Sequence, residues 1–175
     1  MSEKPVLLAA IELLLAKPED IHREAQALFN EYQKTHQGKS KEQIRDMTAK
    51  KIISNYSYYA AFAGGATALS GVIPGIGTAI ATFGGATADA ALSMKFQIEM
   101  TMALASVYGH NILEEEERRI CWIVAGLGAI NVAAQKGGKA VGTKAFINMA
   151  QQYLKGSTLV AVKEIFKTLR ANAPT

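Results

Sequence analysis

The chain has 175 residues, 49% hydrophobic and 19% charged, with a formal net charge of +4. That length suits one compact domain, and the composition, richer in apolar and poorer in charged residues than an average globular protein, makes a sizeable core available. One cysteine, Cys121, excludes an intramolecular disulfide framework, and its neighbours Trp122 and Ile123 make it a core thiol in a reducing compartment.

The spacing of apolar residues is helical almost throughout, and no stretch alternates long enough to argue a strand. The expected fold is all-α: a single compact helical bundle over residues 1–175. A first helix is predicted over Pro5–Ala16, with proline in its opening turn. Glu3 and Glu12 interrupt what could otherwise pass for a signal peptide, no small-x-small site precedes Pro18, and export is therefore not expected. A second helix is predicted over Glu19–Gln37, ended by Gly38, which closes an N-terminal section over residues 1–38. Ser40 with Gln43 has the form of a capping box opening a third helix.

That helix begins with Lys41, Arg45, Lys50 and Lys51 and then loses its charge. No charged residue occurs from Ile52 to Ala88, and the run Gly71-Val72-Ile73-Pro74-Gly75-Ile76-Gly77 breaks the stretch midway. Pro74, Gly75 and Gly77 are the expected turn of a helical hairpin occupying most of residues 40–109. Its arms repeat a small-residue phrase, Phe62-Ala63-Gly64-Gly65-Ala66-Thr67-Ala68 and Phe83-Gly84-Gly85-Ala86-Thr87-Ala88. Small residues allow close helix approach in a core or in lipid. Permanent insertion is disfavoured: Ser54, Asn55, Tyr56, Ser57, Tyr58 and Tyr59 suit an interface, and an aspartate such as Asp89 near mid-bilayer costs about 2.5–3.5 kcal/mol. The hairpin is expected to be buried among the other helices.

A long helix is predicted from Thr78 to Tyr108, stopped by Gly109. At about 100° per residue, Lys95, Glu99, Met102 and Ser106 share one stripe and Asp89 lies off it, among small residues. Asp89, with Tyr108, is thus the expected buried polar site, and hydrogen bonding by Thr67, Thr87 or a helix N-terminus is its expected structural role. Asn111 followed by Glu114 suggests a further cap, and Glu114–Glu117 favour a solvated helix start over a cation site. The C-terminal section, residues 111–175, is read as an apolar helix followed by two basic amphipathic helices near Lys139–Leu154 and Thr158–Ala171.

Charge is unevenly placed. From Lys136 onward seven basic residues face Glu164 alone, a net of +6, which leaves −2 for the first 135 residues. Lys139, Lys144, Lys155, Lys163, Lys167 and Arg170 are the expected binding residues, for an anionic membrane surface or an acidic protein partner. Nucleic acid is the weaker partner, because few aromatics interleave these charges.

Catalytic patterns fail. His22, His36 and His110 are scattered and Cys121 has no cysteine partner, so no metal is expected. Gly137-Gly138-Lys139-Ala140-Val141-Gly142-Thr143-Lys144 has the wrong order for a phosphate loop, Gly75-x-Gly77 and Gly126-x-Gly128 lack a third glycine, and no serine lies in a nucleophile elbow. No cofactor is expected.

Ile73-Pro74-Gly75, followed by Gln97-Ile98-Glu99-Met100-Thr101-Met102-Ala103-Leu104-Ala105-Ser106-Val107-Tyr108-Gly109, resembles the EcsC family of bacterial proteins and the related helical domain of YcjF-type inner-membrane proteins. The likeness covers roughly residues 66–124 and carries over Pro74, Gln97, Tyr108 and Gly109. It implies a helical, membrane-associated or membrane-adjacent role without an assigned reaction. The chain lacks the family's second Gly-rich segment at its C-terminus.

The leading expectation is a non-enzymatic cytoplasmic domain, peripheral to the inner membrane, that docks through its basic C-terminal helices. The rivals are a pore-forming, toxin-like domain that inserts its hairpin, and a small hydrolase or ligand-binding bundle using Asp89. Self-association through small-residue faces is a further expectation.

Overall fold

The computed structural model describes residues 6–62 and 73–135. Chain contacts divide it into two compact units, residues 1–129 and 130–175; the first contains the bundle set out here. Among the described residues there are six helices and no strand: α1 (Val6–Leu14), α2 (Pro18–Thr35), α3 (Lys41–Phe62), α4 (Ile76–Phe83), α5 (Gly85–Tyr108) and α6 (Glu115–Gln135).

Local chemistry sets the boundaries. Pro18 biases the residue before it away from helical backbone, and Lys17 is extended, at φ −65° and ψ 139°, with Pro18 opening α2. This separates α1 from α2. At the start of α3 the expected capping box forms: the Gln43 amide donates to Ser40 Oγ at 3.2 Å, and the Ser40 amide donates to Gln43 Oε1 at 3.0 Å. Gly109 ends α5 in the left-handed conformation, φ 97°, with its amide donating to the Ser106 carbonyl at 3.1 Å.

The single helix expected over Thr78–Tyr108 is instead two. Gly84 adopts φ 83° and ψ 156°, a combination open essentially to glycine alone. Its amide closes α4 on the Ile80 carbonyl at 2.9 Å, and its carbonyl accepts the Ala88 amide at 3.0 Å to open α5. The expected cap at Asn111 also shifts. Asn111 and Glu114 bond side chain to side chain at 2.9 Å inside the turn, while α6 starts only at Glu115.

α5 is the central helix, packed by α1, α2, α3 and α4. Contacts fix its neighbours' directions. Tyr108 meets Asp46 and Phe96 meets Tyr59, so α3 runs antiparallel to α5. Glu99 meets Ala16, while Ser106 meets His22 and Gln26, so α2 runs parallel to it. The core gathers Ile11 and Leu14 of α1, Ile21 and Phe29 of α2, Ile44 and Ile52 of α3, Ile76 of α4, and Leu92, Ile98 and Met102 of α5.

The turn before α4 is tight. Gly75 has φ 83°, and a Cβ built there would lie 3.2 Å from the Leu13 carbonyl oxygen, so α1 rests on backbone at this point. Gly77 faces open space within α4. Gly75→Ala is therefore expected to destabilise by about 1–3 kcal/mol through the left-handed backbone and the carbonyl contact. Gly77→Ala is expected to be neutral or to stabilise by up to about 1 kcal/mol. Urea denaturation of both variants checks the contrast.

Candidate functional site

The stripe of α5 that carries Lys95, Glu99, Met102 and Ser106 faces inward. Lys95 is 8% exposed, Glu99 4% and Ser106 1%. Lys95 Nζ lies 2.6 Å from both Glu99 oxygens, and Glu99 Oε1 also accepts the Ala16 amide at 2.7 Å. That amide lies in the junction between α1 and α2, outside the hydrogen-bond ladder of either helix, so it needs an acceptor from elsewhere. Tyr56 packs nearby. Its burial, reinforced by Glu99, pushes its hydroxyl well above the ordinary tyrosine range. Two turns beyond Glu99 on α5, Ser106 Oγ lies 2.8 Å from His22 Nδ1, and Gln26 Nε2 donates to the Ser106 carbonyl at 2.8 Å. Ser106 is enclosed, so this pairing joins α2 to α5 and presents no accessible nucleophile.

The expected buried site at Asp89 and Tyr108 is corrected. Both side chains are exposed. The reason is the direction of the stripe: a residue about 120° away from Lys95 points outward once Lys95 points inward. Tyr108 donates to Asp46 Oδ1 at 2.9 Å, and that bond raises its hydroxyl above the usual tyrosine value. Asp89 and Tyr108 also sit toward opposite ends of α5 and form no common site.

The described residues of the hairpin are enclosed on one side only. In α4 and early α5, Ile76, Ala79, Ala88 and Ala91 are buried, whereas Gly77, Thr78, Ala81, Thr82, Gly84, Gly85 and Ala86 are exposed. In α3, Ile52 is buried, but Ile53, Ser57, Tyr58, Tyr59, Ala60 and Ala61 are exposed. Because α3 and α5 are antiparallel, the last turns of α3 and the first turns of α5 lie toward the same end of the bundle. Tyr59 bridges them, its ring 6.0 Å from Phe96 and 5.9 Å from Tyr56. The uncharged, tyrosine-bearing last turns of α3 with α4, bordered by exposed Asp89 on α5, are the candidate functional surface. Lys50 and Lys51, both exposed, precede it on α3. Among the described residues no helix is long and apolar enough to cross a membrane.

Pro74 is exposed and Gly75 half-buried at the turn. Lys139, Lys144, Lys155, Lys163, Lys167 and Arg170 lie outside the described residues, as do residues 63–72 of the first arm. The acidic start of α6 is a solvated helix opening: Glu115 pairs with Arg119, and Glu117 Oε2 lies 3.2 Å from His110 Nδ1. No group of three His, Cys, Asp or Glu among the described residues could hold a metal ion. Neither a family model nor a curated protein nor a solved structure matches the chain.

Sequence reasoning missed the Lys95–Glu99 pair as a buried feature. The signal was present: the two are an i, i+4 pair of opposite charge on a helix whose only other charge is Asp89. Such a pair can enter a core because each member partners the other.

Removing one member should cost more than removing both. Glu99→Gln keeps an acceptor for Ala16 but strands Lys95, with an expected loss of about 3–5 kcal/mol. Lys95→Met combined with Glu99→Gln should recover more than half of that loss in the same denaturation assay. A second expectation concerns Cys121. Burial, with Glu117 adding to it, pushes its thiol up to about 11 from an ordinary 9.0. The folded state therefore holds this proton more tightly, so the thiol's contribution is intact below pH 9.0 and is lost as pH rises toward about 11. At pH 8, a thiol reagent should label unfolded protein at least about tenfold faster than folded protein.

Proposed function

We propose that the protein is a non-enzymatic helical module that docks on an anionic membrane surface. The observation that carries the reading is the uncharged stretch of late α3 and α4 at one end of the bundle. Between Asp46 and Asp89 the only charges in the sequence are Lys50 and Lys51, and the described part of that stretch exposes tyrosines and small apolar residues to the surface. The described residues between those two aspartates expose lysines but no carboxylate, which suits an anionic leaflet, and tyrosine favours the headgroup level because its ring is apolar and its hydroxyl polar.

The +6 of residues 136–175 supplies attraction over distance. Each Lys or Arg close to an anionic leaflet contributes about 1 kcal/mol, so several together give salt-sensitive attachment. The resemblance of Pro74, Gln97, Tyr108 and Gly109 to the EcsC family agrees with a role at the inner membrane.

Sedimentation with vesicles of phosphatidylcholine and phosphatidylglycerol tests the reading. Binding is expected at low salt, with a loss of about tenfold or more in affinity for the combined variant Lys163→Glu, Lys167→Glu, Arg170→Glu. Undiminished binding by that variant would remove the basic segment from the account, and binding only to acidic protein would replace the membrane with the other partner class. Entrapped dye should stay inside the vesicles; leakage would favour the pore-forming alternative.

A further inference from the structure

We infer that the second half of α3 is the lipid-touching face of the module, with Ile53 and Tyr58 seated at the headgroup boundary and Lys50 on lipid phosphate. The inference rests on the membrane reading above and adds to it a contact independent of the basic C-terminal segment. At about 100° per residue, Lys50, Ile53, Ser54, Ser57, Tyr58 and Ala61 fall within about 140° of arc on α3. All six are exposed, and Tyr58 reaches 62%. The opposite side of the same helix is held: Ile44, Thr48 and Ile52 are buried, and Tyr59, half-exposed, sets its ring 6.0 Å from Phe96 with Tyr56 edge-on to it. The exposed face is thus held in place by a packed one.

Its composition selects the occupant. An acidic protein surface would need cations spread across the contact, whereas here they stand at one margin and the remainder is hydroxyls, methyls and a phenol ring. That order, cation first and amphipathic ring a turn or two later, matches the order of phosphate and acyl boundary met on entering an anionic leaflet. A second copy of this face would set lysine against lysine or leave the lysines without partners.

The test places an indole at position 58. Tyr58→Trp in a Trp122→Phe background gives one tryptophan, read with phosphatidylcholine–phosphatidylglycerol vesicles carrying brominated acyl chains. A face seated about 5–10 Å into the boundary predicts a blue shift and quenching to roughly half or below, stronger for bromines near the headgroup than for bromines at the chain ends. Ile53→Ser with Tyr58→Ser should weaken binding at high salt about tenfold, while leaving the salt-sensitive component. Protein that sediments with vesicles but shows no quenching overturns this inference and spares the membrane reading; protein that does not sediment overturns both. Emission already blue-shifted without vesicles, or strongest quenching by the deepest bromines, also overturns it. Helical circular dichroism equal to that of the unaltered protein confirms that each variant is folded.

Discussion

The Glu99 carboxylate is the point on which the described bundle depends. It is buried in the central helix, bonded through both oxygens to Lys95 and through one of them to the Ala16 amide. A charge pair in a core returns little net stability compared with apolar residues of the same size, because both members have lost water. Its value lies in what it forbids. Any arrangement that moves the α1–α2 junction off α5 leaves an amide without an acceptor, and any rotation of α5 brings its apolar flanks to the surface and misplaces Ser106 from His22 and Gln26. The pair therefore fixes both the rotation of α5 and the position of the junction.

Once α5 is fixed, the rest of the surface follows. Lys95, Glu99, Met102 and Ser106 turn inward, so Asp89 turns outward. α1 is tied at Ala16 and also rests against the turn at Gly75, where its Leu13 carbonyl approaches the backbone closely. With α1 and α2 holding the stripe side of α5, α3 lies antiparallel along it and carries its uncharged turns to the end where α4 gives way to α5. The residues of lowest charge in the chain thus reach the surface at one end. Exposed apolar area of this kind marks an interaction site, and the lack of charge along late α3 and α4 is the property the membrane reading uses.

Much of the fold was legible in the sequence. Ser40 with Gln43, Pro18 after Lys17 and Gly109 after Tyr108 each set a boundary by local chemistry, so pattern alone located it. The break at Gly84 was less visible, because a glycine pair within a small-residue run reads equally as close packing and as a change of backbone direction. The rotation of α5 could not be read from it. Apolar residues cover most of its circumference, so the pattern does not say which way the charged stripe turns, and only the neighbouring Ala16 amide and Gln26 side chain reveal it as the inner side. The candidate surface was half legible: the uncharged run and its tyrosines were plain, whereas which of them remain outside depends on how α3 lies against α5.

Native-state hydrogen exchange of the Ala16 amide tests the central claim most directly. It follows a nine-residue helix and precedes Lys17-Pro18, a place where an amide held only by local structure exchanges quickly. The bond to Glu99 predicts protection comparable with that of amides in the middle of α5, lost together with them in denaturant. Exchange at the rate of an open loop, with α5 still protected, would contradict the claim that this carboxylate ties the N-terminal helices to the core.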